Sequence, residues 1–248
     1  MSDVDLEALA AGYEHRPVSE ADRQRAALAA AAARLGPGRV ALDVGGGRGG
    51  HAGEFAALGA TALVIDRSPT MAAAAGAVPG VVALVGDARR LPLRAGSCDL
   101  VYFHLSLHYG GWEQALGEAV RVARSGGVVW VWTFHPDHHR SSFLAQWFPS
   151  VIPIDEARFP DPSALMSRLA ALGCREVETS EHPEEAVRRA GDWAAAVEGG
   201  FVSTLQLLPP GELEAGLARF RGRHPDPNEA LRYRLRYVAV SGAAPSLA

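Results

Sequence analysis

The run Val40-Ala41-Leu42-Asp43-Val44 passes directly into Gly45-Gly46-Gly47-Arg48-Gly49-Gly50, and a helix is predicted to begin near His51. A short apolar run flanked by glycines reads as a strand buried on both faces of a parallel sheet. Glycines straight after such a strand let the backbone turn sharply and come close to a ligand, beside the positive end of the following helix. This order of elements requires an α/β fold, and the next hundred residues repeat it. TALVID (61–66) leads into a helix through Met71 and the Ala72–Ala75 run, and VVALV (81–85) leads into the loop GDARRLPLRAGS. Cys98–Phe103 is a fourth strand. Residues 112–124 form a helix with Leu116, Val120 and Ala123 on one face, and VVWVWTF (128–134) is a fifth strand. Strands alternating with helices over short connections predict a parallel sheet covered on both faces.

The flanking regions are less regular. Ser19 can cap a helix over 19–35 that Gly36-Pro37-Gly38 ends, so 1–38 is an N-terminal helical segment. Residues 135–161 hold prolines, histidines and aromatics without a period. A helix is predicted over 161–173 and a strand over 174–180, and LRYRLRYVAV (231–240) alternates as a last strand. The core is therefore expected to comprise 39–182 and 229–248, with 183–228 as a helical cap inserted over the active site of one domain, 1–248. Hydrophobic residues make up 48% of the 248, ample for a core of that size. A formal net charge of −4 and a pI near 6.1 argue against a general nucleic-acid or membrane-surface binder. All 24 basic residues are arginine, which removes lysine-nucleophile and Schiff-base mechanisms. Cys98 and Cys174 are too few for a disulfide framework, and two free thiols are expected. With no long apolar run and an acidic start, a cytoplasmic protein without a membrane span is expected.

Two ligands suit the glycine loop. Gly45, Gly47 and Gly50 satisfy GxGxxG, and Asp66 stands near the spacing of a dinucleotide's ribose acid. Asp43 separates the readings, because a carboxylate two residues before the first glycine would repel a pyrophosphate but can support a cationic aminoacyl group. At these residues the chain resembles the class I S-adenosylmethionine-dependent methyltransferases, in the small-molecule branch of ubiquinone/menaquinone-biosynthesis type, over roughly residues 10–135. LDVGGGRG resembles the family's first motif, which wraps the methionine part of the cofactor and implies roles for Asp43, Gly45, Gly47 and Gly49. IDRSPTM resembles the second, implying Asp66 on the ribose hydroxyls with Arg67 and Met71 flanking the adenine. GDARRLPL resembles the third, implying Asp87 and Ala88 at the adenine. The stretch from Cys98 to Gly127 resembles the fourth strand, its helix and the turn into strand five, implying Phe103 and His104 against the cofactor. Tyr13-Glu14-His15-Arg16 resembles the segment in which Tyr13 and Arg16 close over the cofactor carboxylate. The resemblance implies a Rossmann-like, mostly parallel sheet of seven strands with the last antiparallel, S-adenosyl-L-methionine as cofactor and S-adenosyl-L-homocysteine as product.

An activated sulfonium methyl needs an aligned nucleophile and little else, so orientation can supply most of the acceleration. A base is needed only for a hydroxyl, an acidic carbon or a protonated amine; His104 and His108, which follow strand four, are the candidates, with His108 and Tyr109 beside it as the expected catalytic pair. His108 could equally be a capping or packing histidine. His135-Pro136-Asp137-His138-His139 offers metal-type ligands, but Pro136 breaks their spacing, so a polar loop is expected and no metal. The Asn/Asp-Pro-Pro-aromatic tetrapeptide of amino-directed enzymes is absent after strand four, which favours O- or C-methylation of a small apolar acceptor over N-methylation. The aromatics Trp147, Phe148, Phe159, Trp193 and Phe201 would suit an apolar acceptor site or a core. Arg232, Arg234 and Arg236 share one strand face and are expected to pair with acids of a covering helix. A tRNA or protein methyltransferase, a non-methylating protein that binds the same cofactor, and an NAD-dependent oxidoreductase are the alternatives.

Overall fold

The computed structural model describes residues 4–12 and 19–246. In chain order the N-terminal helices are α1 (Leu6–Gly12) and α2 (Glu20–Ala32). They are followed by β1 (Val40–Val44), α3 (Gly50–Ala57), β2 (Thr61–Asp66), α4 (Pro69–Gly76), β3 (Val81–Val85) and β4 (Cys98–His104). After α5 (Trp112–Val122) and β5 (Ala123–Phe134) come three short helices, α6 (Pro136–Ser141), α7 (Phe143–Trp147) and α8 (Val151–Arg158). The chain continues with α9 (Pro162–Ala171), β6 (Arg175–Arg189), α10 (Ala190–Glu198), α11 (Glu212–Arg223) and β7 (Ala230–Ala243).

The strands form one sheet in the order β3-β2-β1-β4-β5-β7-β6. β1 to β5 are parallel, with Asp43 beside Val64 and Tyr102, and His104 beside Trp132. β7 runs antiparallel to β5, as the bonds Gly126 to Ala244 and His135 to Arg236 require, so the expected seven-stranded Rossmann-like sheet with a reversed last strand is present. The order reverses between β1 and β4, and open α/β sheets bind ligands outside the carboxyl ends of the strands at such a point.

The chain divides into two compact units. The larger comprises Arg16–Thr133 (described from Ser19), Pro160–Ser180 and Val238–Ala248. Its core takes Leu42, Val44, Val101, Phe103, Val129 and Val131 from the strands, with Leu116 of α5 and Leu165 of α9. On the other face Phe55 of α3 meets Tyr102 edge-on at 5.3 Å. α2 starts in a reciprocal cap: the Ser19 hydroxyl accepts from the Asp22 amide and the Asp22 carboxylate accepts from the Ser19 amide. Cys98 and Cys174 are buried free thiols in this core.

The smaller unit comprises Phe134–Phe159, Glu181–Tyr237 and the described part of the N-terminal segment. It is broader than the 183–228 segment read as an insertion, because 134–159 belongs to it. Those residues lack a period because they form three short helices, the first two begun by side-chain caps from His135 and Ser142. The core of this unit holds Phe148, Trp193, Val197, Leu217 and Phe220. Trp193 and Phe148 are fully buried, and a Cβ on Gly216 would lie 2.2 Å from the Phe148 ring. Of the expected partners, Arg236 meets a helix acid, Asp137 of α6, at 3.0 Å and also Glu181 of β6 at 3.5 Å, whereas Arg234 meets Glu185 of the neighbouring edge strand at 2.6 Å. β6 is the outer strand, and its charges with Pro183 suit an edge that must not pair further.

Candidate functional site

The glycine loop leaves β1 at the reversal point. Gly45, Gly47 and Gly49 hold φ of +68°, +54° and +78°, conformations that L side chains rarely adopt. Space demands glycine as well: a Cβ on Gly45 would lie 2.6 Å from the Ser106 Cβ, and one on Gly46 would lie 2.7 Å from the Asp43 carboxylate. Gly49 caps α3, so the loop ends on a helix N-terminus. Ser106, just beyond β4, donates its hydroxyl to the Val44 carbonyl at 2.6 Å and ties the two strand ends together. Between His104 and Ser106, Leu105 holds φ of +50°, a strained turn for a branched residue.

Asp43 is 1% exposed, and neither of its carboxylate oxygens has a hydrogen-bond partner among the described residues. Burial foremost, and the nearby Asp66 charge, push its pKa up to about 8; the Ala52 amide opposes this weakly without reaching hydrogen-bond geometry. A buried acid in this state accommodates a cation. Asp66 ends β2 and is held by two amides, Gly47 N–H on Oδ2 and Ser68 N–H on Oδ1, each at 2.9 Å. Loop and second-strand acid are thus one assembly. Ser68 caps α4 by accepting from the Met71 amide, which leaves Met71 buried with its sulfur facing the Gly47 position.

Asp87 is joined to Arg89 at 2.6 Å, and the Arg89 hydrogen bond holds its carboxyl below the usual carboxylate range, with Arg67 adding to the effect. Arg67 is exposed and Ala88 is partly buried against the core. Phe103 points into the core and is fully buried, so it is not brought to this edge. His104 is, and it accepts a hydrogen bond from Arg25 Nε at 3.1 Å. His108 and Tyr109 lie in a single 3-10 turn, Leu107–Tyr109, with their ring centroids 4.2 Å apart and His108 buried. Tyr13 and Arg16 lie outside the described residues.

The His135–His139 run is a helix rather than a polar loop. Pro136 stands at its first position, and the His135 ring accepts from the Asp137 amide. His138 stacks on Phe134 at 4.1 Å and His139 lies 5.2 Å from Phe159. Burial pushes His138 down to about 3 and His139 to about 4, so both rings are neutral at pH 7. No helix among the described residues is long and apolar enough to cross a membrane.

Residues 42–131, which contain every piece of this edge from β1 to β5, match the family model described as a methyltransferase domain. That segment is a methyltransferase domain. Curated relatives agree: the demethylmenaquinone methyltransferases of Mycobacterium bovis and Mycobacterium tuberculosis are 36% identical over 104 residues. The match spans 42% of this chain and 44% of those proteins, less than half their length. Among solved structures, one named for a methyltransferase of an antibiotic biosynthesis pathway from Anabaena variabilis is 20% identical with a TM-score of 0.69. It covers 87% of this chain and 96% of its own. The phosphoethanolamine N-methyltransferase 2 of Haemonchus contortus, in complex with S-adenosylhomocysteine, gives 14% and 0.62, covering 97% of this chain and 57% of that one. The [4+2]-cyclase SpnF gives 19% and 0.62, covering 94% and 84%. These three establish the fold of the methyltransferase domain, and the cyclase among them shows that the fold does not dictate the reaction.

Sequence reasoning missed Asp22, Arg25 and His51 beside His104. Arg25 lies 79 residues from its partner, and only the packing of α2 joins them. The one available signal was the Ser19–Asp22 cap, which fixes the helix phase and with it the face that carries Arg25.

Proposed function

We propose that the chain transfers a methyl group from S-adenosyl-L-methionine to a small, largely apolar acceptor, by O- or C-methylation in preference to N-methylation. The observation that carries this reading is Asp43, a buried acid with both oxygens unmatched beneath a loop that only glycine can form. A cationic aminoacyl group would draw Asp43 into its charged form, whereas a pyrophosphate would not. The amides of the Gly45–Gly49 loop would face the methionine part. Asp66 would take the ribose hydroxyls, with Arg67, Met71, Asp87 and Ala88 around the adenine and Tyr13 and Arg16 at the carboxylate. When bound, the cofactor supplies an activated sulfonium methyl. The protein's own part is to align the acceptor with it and exclude water, with His108 and Tyr109 as the groups to orient or deprotonate the acceptor.

The name of the curated relatives supplies an apolar quinone-type acceptor, and we carry over that class rather than the compound. The net charge of −4 and Phe103-His104-Leu105-Ser106 in place of the amino-directed tetrapeptide support it against nucleic-acid and amide substrates. Titration calorimetry with S-adenosylhomocysteine and with NAD tests the reading. Wild type is expected to bind the first and not the second, and Asp66→Ala to weaken the first about a hundredfold, roughly 2.7 kcal/mol. NAD binding as tight as that of S-adenosylhomocysteine would overturn it.

A further inference from the structure

Asp22, Arg25, His51 and His104 form a polar cluster of the larger unit, of which the methyltransferase motifs include only His104. Arg25 and Asp22 lie one turn apart on α2, both nearly buried; Arg25 Nη2 donates to Asp22 Oδ1 at 2.6 Å, and the Ser19 hydroxyl donates to Asp22 Oδ2 at 2.7 Å. Arg25 Nε donates to His104 Nε2 at 3.1 Å. From α3 the His51 ring lies 4.4 Å from the His104 ring, with its Nε2 4.0 Å from Asp22 Oδ1. Tyr102 of β4 lies 5.3 Å from His51, and Asp43 of β1 acts on Tyr102 in turn. Among the described residues, the charged and titratable groups around His104 include Asp22 and Arg25 of α2, His51 of α3, Tyr102 of β4 and Asp43 of β1. Trp132 stands beside it on β5.

A guanidinium has donors only and keeps its proton at any working pH. A nitrogen that accepts from it carries no proton, so Nε2 is the bare nitrogen of His104 and the neutral ring keeps its proton on Nδ1. We propose that Arg25 is a positioning residue that fixes His104 as its neutral Nδ1–H tautomer at the carboxyl end of β4, with Asp22 positioning Arg25. The proposal rests on reading this edge as the S-adenosylmethionine site. It has two consequences there. His104 cannot receive an acceptor's proton on Nε2, so the role of base, where one is needed, falls to His108. The Asp22–Arg25 pair is neutral overall, so it orients His104 without adding net positive charge beside a sulfonium group. Asp22, His51 and His104 also have the spacing of a metal ligand set, with ligand atoms within 4.8 Å of one another. The guanidinium already bridges Asp22 and His104, where a metal cation would otherwise serve.

Long-range proton–nitrogen spectra of the full chain, labelled with ¹⁵N, read the tautomer directly, with His104→Gln assigning the signal. Wild type is expected to show Nδ1–H at His104 from about pH 6 to about pH 8, unchanged by added zinc. Arg25→Met should give a mixture of tautomers and raise the Kd for S-adenosylhomocysteine about tenfold. Should that variant fail to fold, Asp22→Asn carries the test, since the asparagine oxygen can still accept from the Ser19 amide while the ion pair is lost; the same change in smaller degree is expected. Nε2–H at His104 in wild type, an unchanged tautomer in the folded variants, or a zinc-induced shift of the His51 and His104 signals would overturn the proposal. If wild type shows the Nδ1–H tautomer but binds no S-adenosylhomocysteine, the assignment of the site fails and the role of Arg25 in the reaction fails with it, while its hold on the tautomer stands.

Discussion

Two buried acids, Asp155 of the smaller unit and Asp43 of the larger, are treated in opposite ways. In the smaller unit Arg158 is almost fully buried and donates to Ser203 Oγ at 2.9 Å and Thr204 Oγ1 at 3.2 Å. The Thr204 hydroxyl donates in turn to Asp155 at 2.6 Å, and Arg158 stands 3.9 Å from the same carboxylate. Burial pushes Asp155 up to about 6, against the Thr204 hydrogen bond and the Arg158 charge. In the larger unit Asp43 is equally buried and has neither a cation nor a hydroxyl to answer it. A buried charge whose partners are all internal is explained by the fold alone. A buried acid left open at the carboxyl edge of the sheet costs stability, and a ligand that completes it explains why it is kept.

Removing the cation from the closed network should produce the largest effect. Arg158→Met keeps an apolar stem but takes a donor from Ser203 and Thr204 and the neighbouring cation from Asp155, a loss of about 3 kcal/mol in urea unfolding at pH 7. Without Arg158 the acid protonates more readily, so the loss should be smaller at pH 5, where Asp155 is neutral and no buried charge is left unanswered. A loss below about 1 kcal/mol at both pH values would mean that the network is not what holds this interior together, and the contrast with Asp43 would lapse.

How much of this was legible in the sequence depends on the same division. The β1–loop–α3 unit, the acid ending β2 and the existence of the last strand could be read because local rules fix them: buried apolar runs, glycines at positive φ, alternation; the reversal of that strand came only from the family resemblance. The network of Arg158 could not, since it joins α8 to Ser203 and Thr204 across 45 residues of chain without any motif. Nor could β6 be read at full length. Its second half, 181–189, alternates half-buried and exposed residues, but charge and Pro183 mask the pattern. Trp193 shows the limit for aromatics. Sequence leaves open whether it lines a ligand site or fills a core, and the structure places it beneath Phe220, with centroids 4.3 Å apart. Arg25 was hidden for a further reason: a helix shows its buried face through apolar residues, and a buried arginine on that face reads as exposed.

Asp43→Asn tests the open side of the comparison. An ordinary aspartate ionises near 3.8 in the unfolded chain, while Asp43 in the fold does so near 8. Between those values the folded state holds a proton that the unfolded state releases, so this group's contribution to stability falls as pH rises from about 4 to about 8. Asparagine cannot ionise. The variant should therefore lose that slope and exceed wild type in stability by about 1–3 kcal/mol at pH 8, measured by urea unfolding across the range. The same change removes the anion that draws in the cofactor's cationic end, so affinity for S-adenosylhomocysteine should drop at least about tenfold. Greater stability with unaltered affinity would leave Asp43 an accident of packing rather than an unfinished half of a binding site.

The smallest effect is expected where a charge pair is closed but exposed. Arg234 and Glu185 meet at 2.6 Å across β7 and β6, and both side chains are more than half exposed. Water already solvates each group in the absence of the other, and salt screens what attraction remains, so Arg234→Ala should cost no more than about 0.5 kcal/mol. A cycle with Glu185→Ala should give a coupling below about 1 kcal/mol that fades in high salt. The result bears on the larger contrast because this pair has a shorter charge–charge contact than Arg158 and Asp155, 2.6 Å against 3.9 Å, but lies exposed. If its coupling instead matched the loss at Arg158, hydrogen-bond geometry rather than desolvation would set the scale. The open carboxylate of Asp43, costly only because it is buried, would then lose its physical basis as the mark of a ligand site.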